Sequence, residues 1–220
     1  MKRFAHGPDN SRLERERLDD AALDRSIEAA LAGRPRGAPL WIFAYGSLMW
    51  SPTFAHDAKR VGGIFGYHRS FCLWSRINRG TPEHPGLVLT LERGGSCRGL
   101  AFRVPAGMAG AQLRELWRRE MTYGSYHPRW LACHAGPDTF PVLAFVVNRA
   151  CSGYAGKLPQ EAMVSAIATA RGQYGSSAEY LFRTQETLHH HGIHDARVKR
   201  LADLVRAHIA AGSARGPALS

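Results

Sequence analysis

Cysteine, acidic residues and long apolar runs are scarce in this chain of 220 residues. The four cysteines, Cys72, Cys97, Cys133 and Cys151, show no CxxC spacing and are too few for a disulfide scaffold, so we expect reduced thiols. No run approaches the roughly 18 consecutive apolar residues of a membrane span, and the start of the chain lacks the apolar centre of a secretory signal. These absences predict a cytoplasmic protein with no membrane segment.

The shortage of acidic residues leaves the chain strongly basic, with 18 acidic against 29 basic residues and a net charge of +11. A positive field favours anionic partners, either nucleic acid or a compact acidic substrate. The basic residues are spread along the chain rather than interleaved with aromatics in one segment. We therefore predict a small acidic substrate and no nucleic acid, with a regulatory or nucleic-acid-binding module as the rival interpretation.

Apolar residues make up 45% of the chain, enough for the core of one globular domain. The patterns predict strands at residues 40–45, 62–74, 86–91, 98–104 and 141–147, and helices at residues 109–123, 159–171, 177–190 and 194–211. Gly94-Gly95 is interpreted as the turn of a hairpin between two of these strands. Strands that come first and helices that come last predict an α+β fold whose sheet curls into a small mixed β-barrel with packed helices.

Three segments are predicted along the chain. Residues 1–36 form a charged helical arm, with a helix from Ser11 to Ala32 whose thin apolar stripe places it on the surface. Residues 37–210 form the functional domain, and residues 211–220 form a flexible C-terminal tail. The stripe consists of Leu13, Leu18, Ala21 and Ala22. We expect the arm to be accessory to function, and the oligomeric state does not follow from the sequence.

Glu120 is the first candidate for a catalytic group. Leu113, Leu116, Trp117 and Met121 form an apolar stripe at helical spacing, and Glu120 points with them toward the core. A buried carboxylate is costly unless it is paired, hydrogen-bonded or raised in pKa, and a raised pKa is what a general base near neutral pH needs. The pattern alone leaves two alternatives open: a general base, or a structural ion pair with an arginine of a neighbouring strand. The adjacent Arg118 and Arg119 are interpreted as a solvated helix face.

The second candidate is Tyr45-Gly46-Ser47-Leu48, which follows a buried strand. Glycine can take a positive φ and lets the backbone approach a ligand closely, so successive N–H groups can form an oxyanion site. A Gly-Ser sequence after a strand is also common in plain turns. Without a partner, the motif favours the plain turn.

Several ordered blocks resemble one known family. They lie at residues 45–50, 69–74, 79–89, 94–103, 116–121, 143–146 and 154–158. Over residues 40 to about 206, the chain is similar to the ChaC-type γ-glutamylcyclotransferases, the group that acts on glutathione. The family fold, a small mixed barrel with packed helices, agrees with the pattern above.

The resemblance implies a role for each candidate. Glu120 would be the single acid/base carboxylate, and Tyr45, Gly46, Ser47 and Leu48 would form the loop whose amides hold the γ-glutamyl group. Arg79 stands where the family carries a substrate-site arginine in an HRG triplet, although here the triplet is Asn78-Arg79-Gly80.

The implied activity is glutathione-specific cyclotransfer, which needs neither a metal nor another cofactor. A cyclotransferase for other γ-glutamyl amino acids or amines is the alternative enzyme.

Two other sets of residues were weighed for chemistry. The run His189-His190-His191 suggests a metal site, but adjacent histidines on a helix point in different directions, so we predict a solvated helix end and no metal. Cys97 or Cys151 paired with a histidine would make a thiol nucleophile, but no sequence context supports it, and buried thiols are the better interpretation.

Overall fold

An apolar, aromatic segment forms the short strand β1, Trp41–Ala44, whose four residues are all buried. Alternate residues of a strand point to opposite sides, so Trp41 and Phe43 share one side with Tyr45. These three belong to one apolar core cluster of the fold. Its other buried members are Ile64, Leu91, Cys97, Ala101, Cys133, Val142, Ala144 and Val146.

The computed structural model describes residues 17–106 and 109–214. Within these ranges the chain forms two compact units. Residues 17–70 and 89–154 make up one, called here the barrel unit, and residues 71–88 and 155–214 make up the other, called the helical unit. No helix in the described ranges combines the length and the apolar character that a membrane crossing requires.

Five strands close into a barrel in the order β1-β3-β2-β4-β5. The four strands after β1 are β2 (Ala58–Ser75), β3 (Gly86–Arg103), β4 (Tyr126–Ala135) and β5 (Asp138–Val147). Strand β1 runs antiparallel to β3 and parallel to β5, with Ile42 opposite Leu143. The predicted α+β fold with a small mixed barrel is confirmed.

The hairpin predicted at Gly94-Gly95 is wrong, because β3 continues through both glycines as one strand. Their φ angles of +98° and +71° belong to a region that residues with a side chain rarely adopt. The two glycines therefore bend the strand without ending it, as glycines at bulges do. The turn of the hairpin lies instead at residues 76–85, between β2 and β3.

Strand β4 is an element that the sequence analysis did not predict. Its sequence lacks clean alternation and contains Pro128, which is unusual in a strand. It pairs with β5 along its full length, from Tyr126 opposite Val147 to Ala135 opposite Asp138. Pairing with an apolar partner strand, rather than local propensity, accounts for this element.

The N-terminal helix does not extend through residues 17–19 as predicted, and it is packed rather than peripheral. Helix α1 spans Asp20–Ala32 and is capped by Asp19, while Ser11 lies outside the described residues. Its buried side chains are Leu23, Ile27 and Ala30. These are not members of the predicted stripe, so the stripe was wrong.

Helix α1 contacts helix α2, Ala109–Glu120, within the barrel unit. The indole N–H of Trp117 donates to Ser26 Oγ of α1 at 3.1 Å, and Arg114 of α2 pairs with Asp24 of α1 at 2.8 Å. The ring of Trp117 in turn meets that of Phe145 on β5, with centroids 5.2 Å apart. Helix α2 therefore lies between α1 and the outer side of the barrel.

The helical unit contains three helices whose bounds agree closely with the predicted ones. They are α3 (Gln160–Thr169), α4 (Ser177–His190) and α5 (Ala196–Ala214), with the short strands β6 (Arg171–Gly172) and β7 (Gly175–Ser176) before α4. The buried hydroxyl of Ser177 donates to Leu87 O at 2.8 Å and accepts from Leu87 N at 3.1 Å. Helix α5 extends into the tail predicted from residue 211, and residues 215–220 lie outside the described residues.

Candidate active site

Glu120 is the last residue of helix α2, and the apolar residues of that helix place it against the barrel. Leu113, Leu116, Trp117 and Met121 are all buried, as the helical spacing predicted. Because Glu120 shares their side of the helix, its side chain is only 15% exposed. The sequence prediction of a carboxylate directed toward the core is confirmed.

Burial raises the pKa of Glu120 above its ordinary value, because the ionised form loses hydration. The guanidinium of Arg119 acts in the opposite direction and is the smaller of the two effects. Glu120 Oε1 lies 3.2 Å from Arg119 Nε. The ion-pair alternative predicted an arginine from a neighbouring strand. The cation beside Glu120 comes instead from its own helix.

The Tyr45–Leu48 loop begins where β1 ends and turns at once into a short 3₁₀-helix, Ser47–Met49. The amides at the start of such a turn have no partner inside it, because the carbonyls they would bond lie before the helix. Met49 N donates to Gly46 O at 2.9 Å, and Ser51 N donates to Ser47 O at 2.9 Å. Gly46 has φ −134°, so a positive φ does not explain why glycine stands here. The other predicted reason, close approach of a ligand to the backbone, stays a prediction.

Two buried contacts hold the first residue of this loop. The hydroxyl of Tyr45 donates to Phe145 O on β5 at 2.8 Å. Arg69 Nε on β2 donates to Tyr45 O at 2.6 Å, and the same guanidinium donates to Arg98 O on β3. Tyr45 is therefore tied directly to β5 and β2, and through Arg69 to β3, which fixes where the loop starts.

Arg119 joins the loop to the helix that carries Glu120, and its interpretation as part of a solvated face was wrong. Its Nη2 donates to Ser47 Oγ at 2.9 Å and its Nη1 donates to Ser51 O at 2.6 Å, while Nε faces Glu120. Only Arg118 behaves as predicted, since its side chain is 54% exposed and pairs with Asp20 at 3.2 Å. The sequence contains a signal, an arginine next to the candidate base, but not the direction of its side chain.

Arg79 lies in the helical unit, in the turn between β2 and β3. Its backbone N–H donates to Ser75 Oγ at 2.9 Å, and its side chain is 10% exposed. The guanidinium lies 3.7 Å from a carboxylate oxygen of Glu179 and 5.6 Å from the ring centre of Tyr180, both on α4. Its Nη1 also donates to Ser176 O at 3.4 Å. Its role toward a substrate stays a prediction.

The histidines and cysteines weighed in the sequence analysis show no catalytic arrangement in the described residues. No group of three or more His, Cys, Asp or Glu side chains there is placed to hold a metal ion. His189 and His190 end helix α4 as exposed residues. All four cysteines are buried and none forms a disulfide. Burial raises the pKa of the Cys133 thiol to about 11, far from that of a reactive thiolate.

Sequence comparison identifies the family of this mixed barrel, which carries a buried carboxylate beside a strand-end loop. A sequence model described as ChaC-like protein matches residues 40–208, and the chain belongs to this family. The match covers every candidate residue and begins after helix α1.

Individual relatives agree with the family. An Escherichia coli (strain K12) protein named glutathione-specific gamma-glutamylcyclotransferase is 37% identical over 173 residues, covering 77% of this chain and 74% of that protein. The human glutathione-specific gamma-glutamylcyclotransferase 1 is 37% identical over 149 residues, covering 66% and 67%. A crystal structure of a yeast γ-glutamyl cyclotransferase specific to glutathione has a TM-score of 0.71 at 19% identity, covering 78% and 97%. That structure shows the shared fold.

Proposed function

We propose that this protein is a glutathione-specific γ-glutamylcyclotransferase that cleaves glutathione to 5-oxoproline and cysteinyl-glycine. The observation that carries the proposal is the buried carboxylate of Glu120, with its raised pKa, attached through Arg119 to the Tyr45–Leu48 loop. The names of the bacterial and human relatives support glutathione as the substrate.

The first step assigned to Glu120 is removal of a proton from the α-ammonium group of the γ-glutamyl residue. A carboxylate with an ordinary pKa is a weak base at neutral pH, and burial makes Glu120 a stronger one. The freed amine then attacks the γ-carbonyl carbon of the same residue and closes a five-membered ring. Because both reacting groups belong to one molecule, much of the entropic barrier of a two-molecule reaction is absent.

The second step needs groups that stabilise negative charge on the former carbonyl oxygen. The amides at the start of the Ser47–Met49 turn are suited to this, since they have no partner within the turn. Preorganised N–H groups aimed at an oxyanion commonly account for several kcal/mol of catalysis. We assign this task to the backbone of Gly46, Ser47 and Leu48, with Tyr45 fixing the start of the loop.

The last step breaks the amide bond to cysteinyl-glycine. Protonated Glu120 returns its proton to the leaving nitrogen, and the ring nitrogen loses its second proton as it becomes the lactam N–H. That second proton balances the final protonation of the released amine. One carboxylate thus serves as base and then as acid, and the reaction needs neither a covalent enzyme intermediate nor a redox change.

The remaining parts of the proposal rest on the sequence. Arg79 is proposed to bind a carboxylate of glutathione, on the resemblance and on its capacity for a planar anion. Residues 37–210 are proposed as the catalytic domain, with α1 supporting it. The four cysteines form no disulfide, which fits a reducing compartment, and we propose the cytoplasm.

The proposal is tested by incubating the purified full chain with glutathione and measuring 5-oxoproline and cysteinyl-glycine by mass spectrometry. Equal amounts of the two products are expected. γ-Glutamylcysteine, γ-glutamylalanine and glutathione disulfide serve as parallel substrates.

Preference for another γ-glutamyl compound would replace glutathione specificity with the broader alternative. Absence of 5-oxoproline from every substrate, together with salt-sensitive binding to DNA, would refute the enzyme and favour the rival binding module.

A further inference from the structure

We propose that Arg119 is a positioning residue that holds the Glu120 carboxylate and the Tyr45–Leu48 loop in one fixed arrangement. This inference rests on the proposed function. The inference adds to that function a residue to which the resemblance assigns no role. It also makes the base and the oxyanion site parts of one connected assembly.

The contact between Arg119 and Glu120 is unusual for neighbours on a helix. Residues i and i+1 do not face each other on a helix surface, because their side chains diverge by about 100°. Here Nε and Oε1 nevertheless lie 3.2 Å apart, at the point where α2 ends. Met121 N still donates to Trp117 O at 2.7 Å, as in a helix, and the chain turns after it, with Gly124 N donating to Met121 O at 3.0 Å. The two side chains therefore converge at the helix end, and the approach is a feature of the tertiary structure.

The two Nη atoms of Arg119 hold the Ser47–Met49 turn, one at its first residue and one at Ser51, just beyond its end. Nη2 donates to the side chain of Ser47 and Nη1 to the backbone of Ser51, so one planar group spans the 3₁₀ turn. Arg69 holds the start of the loop through Tyr45 O. The turn is thus fixed at both ends by guanidinium groups, which lose less freedom on binding than an ammonium group would.

The charge of Arg119 has a second effect, on the proton affinity of Glu120. Burial raises the pKa of Glu120 and the cation limits that rise. The facing groups of the loop, Ser47 and Ser51, are uncharged, and the β5 residue Phe145 beneath α2 is apolar.

Three other charged groups, on α1 and β2, have partners elsewhere. Asp20 and Asp24 of α1 pair with Arg118 and Arg114, and Arg69 of β2 donates to backbone carbonyls. Among the described residues, Arg119 is thus the charged group that lowers the pKa of Glu120.

Three variants separate these roles. Arg119→Met removes the charge and the three contacts but keeps an unbranched side chain. Arg119→Lys keeps the charge and loses the planar fork. Arg118→Met is the matched control, because it removes the same charge from the adjacent position of the same helix, where the side chain pairs with Asp20 and does not touch the loop.

For Arg119→Met, we expect kcat/KM for glutathione to fall about 10- to 100-fold, the scale of a small misplacement of reacting groups. The acidic limb of its pH–rate profile should move to higher pH, since loss of the cation favours protonated Glu120. Arg119→Lys should leave that limb near its wild-type position while kcat/KM stays reduced. Arg118→Met should match the wild type in both respects.

A carboxyl-carbon NMR titration of Glu120 in the full chain provides a readout that does not depend on activity. The pKa of Glu120 should rise in Arg119→Met and stay unchanged in Arg118→Met. A wild type that shows this coupling but does not cleave glutathione would refute the proposed function and support the arrangement.

A folded Arg119→Met variant with wild-type kcat/KM, pH limb and Glu120 titration would refute the inference, as would an Arg118→Met variant with equal changes. If Arg119→Met fails to fold, Arg119→Lys and Ser47→Ala decide the matter: wild-type kcat/KM in both refutes the inference, and a loss in both at an unchanged melting temperature supports it.

Discussion

Replacement of Glu120 by glutamine tests the candidate site most directly. The change keeps the size and the helix propensity of the side chain and removes only the group that can carry a proton. If Glu120 is the acid/base residue, kcat should fall by about 10² to 10⁴, or about 3 to 5 kcal/mol of barrier. Binding of glutathione should persist, because the loop and Arg79 are unaltered.

The stability of this variant follows from the direction of the pKa shift. Burial outweighs Arg119, so the folded state favours protonated Glu120 and the ionised form costs folding free energy above the folded-state pKa. A neutral glutamine avoids that cost. Glu120→Gln should therefore melt at or above the wild-type temperature at pH 8. The difference should shrink as the pH falls below the raised pKa and vanish below the ordinary pKa of a glutamate in the unfolded chain.

The measurements are a glutathione turnover assay, calorimetric titration of glutathione binding and thermal melts at pH 5 and pH 8. Glu115→Gln is the matched control, because Glu115 lies on the same helix with an exposed side chain. A Glu120→Gln variant that melts well below the wild type at pH 8 would indicate a structural ion pair, since breaking such a pair costs about 3 to 5 kcal/mol. A variant with normal turnover would refute the assignment of the active site.

Three further changes test the rest of the molecule. Arg79→Lys keeps the charge but loses the planar fork, so KM for glutathione should rise with little change in melting temperature; an unaltered KM would remove Arg79 from the site. Leu23→Ala removes a fully packed side chain of α1 and should destabilise the protein by about 2 to 5 kcal/mol in urea unfolding, whereas a loss near zero would return α1 to the peripheral arm predicted from the sequence. The buried carboxylate of Glu92 accepts from Arg149 Nε at 2.6 Å and from the Tyr154 hydroxyl at 2.8 Å. Glu92→Gln should lower the free energy of unfolding by about 1 to 3 kcal/mol in the same measurement. Unchanged unfolding would show that these contacts do not stabilise the fold.

Tertiary pairing overrode local preference at two places in the fold. Gly94-Gly95 has the composition of a turn, but the strand continues because β3 has partners on both sides. Strand β4 has weak alternation and forms against β5. Helix α1 is a different case, because its buried residues Leu23, Ile27 and Ala30 lie at helical spacing in the sequence and the sequence analysis chose another stripe.

The sequence by itself determined the buried strand that ends at Tyr45, the helix that directs Glu120 toward the core, and the number and bounds of the later helices. Those features depend on the periodicity of apolar side chains, which acts over a few residues and is written directly in the chain.

Only the tertiary structure decided what surrounds Glu120. The direction of Arg119, the anchoring of the loop at Ser47 and Ser51, and the balance between burial and charge at the carboxylate depend on atoms brought together from separate elements. An arginine at a helix end has many rotamers open to it, and nothing within a few residues of the sequence selects among them. The Ser51 carbonyl, the Ser47 hydroxyl and the Glu120 carboxylate select one rotamer of Arg119. Together they provide partners that replace the water the guanidinium loses on burial.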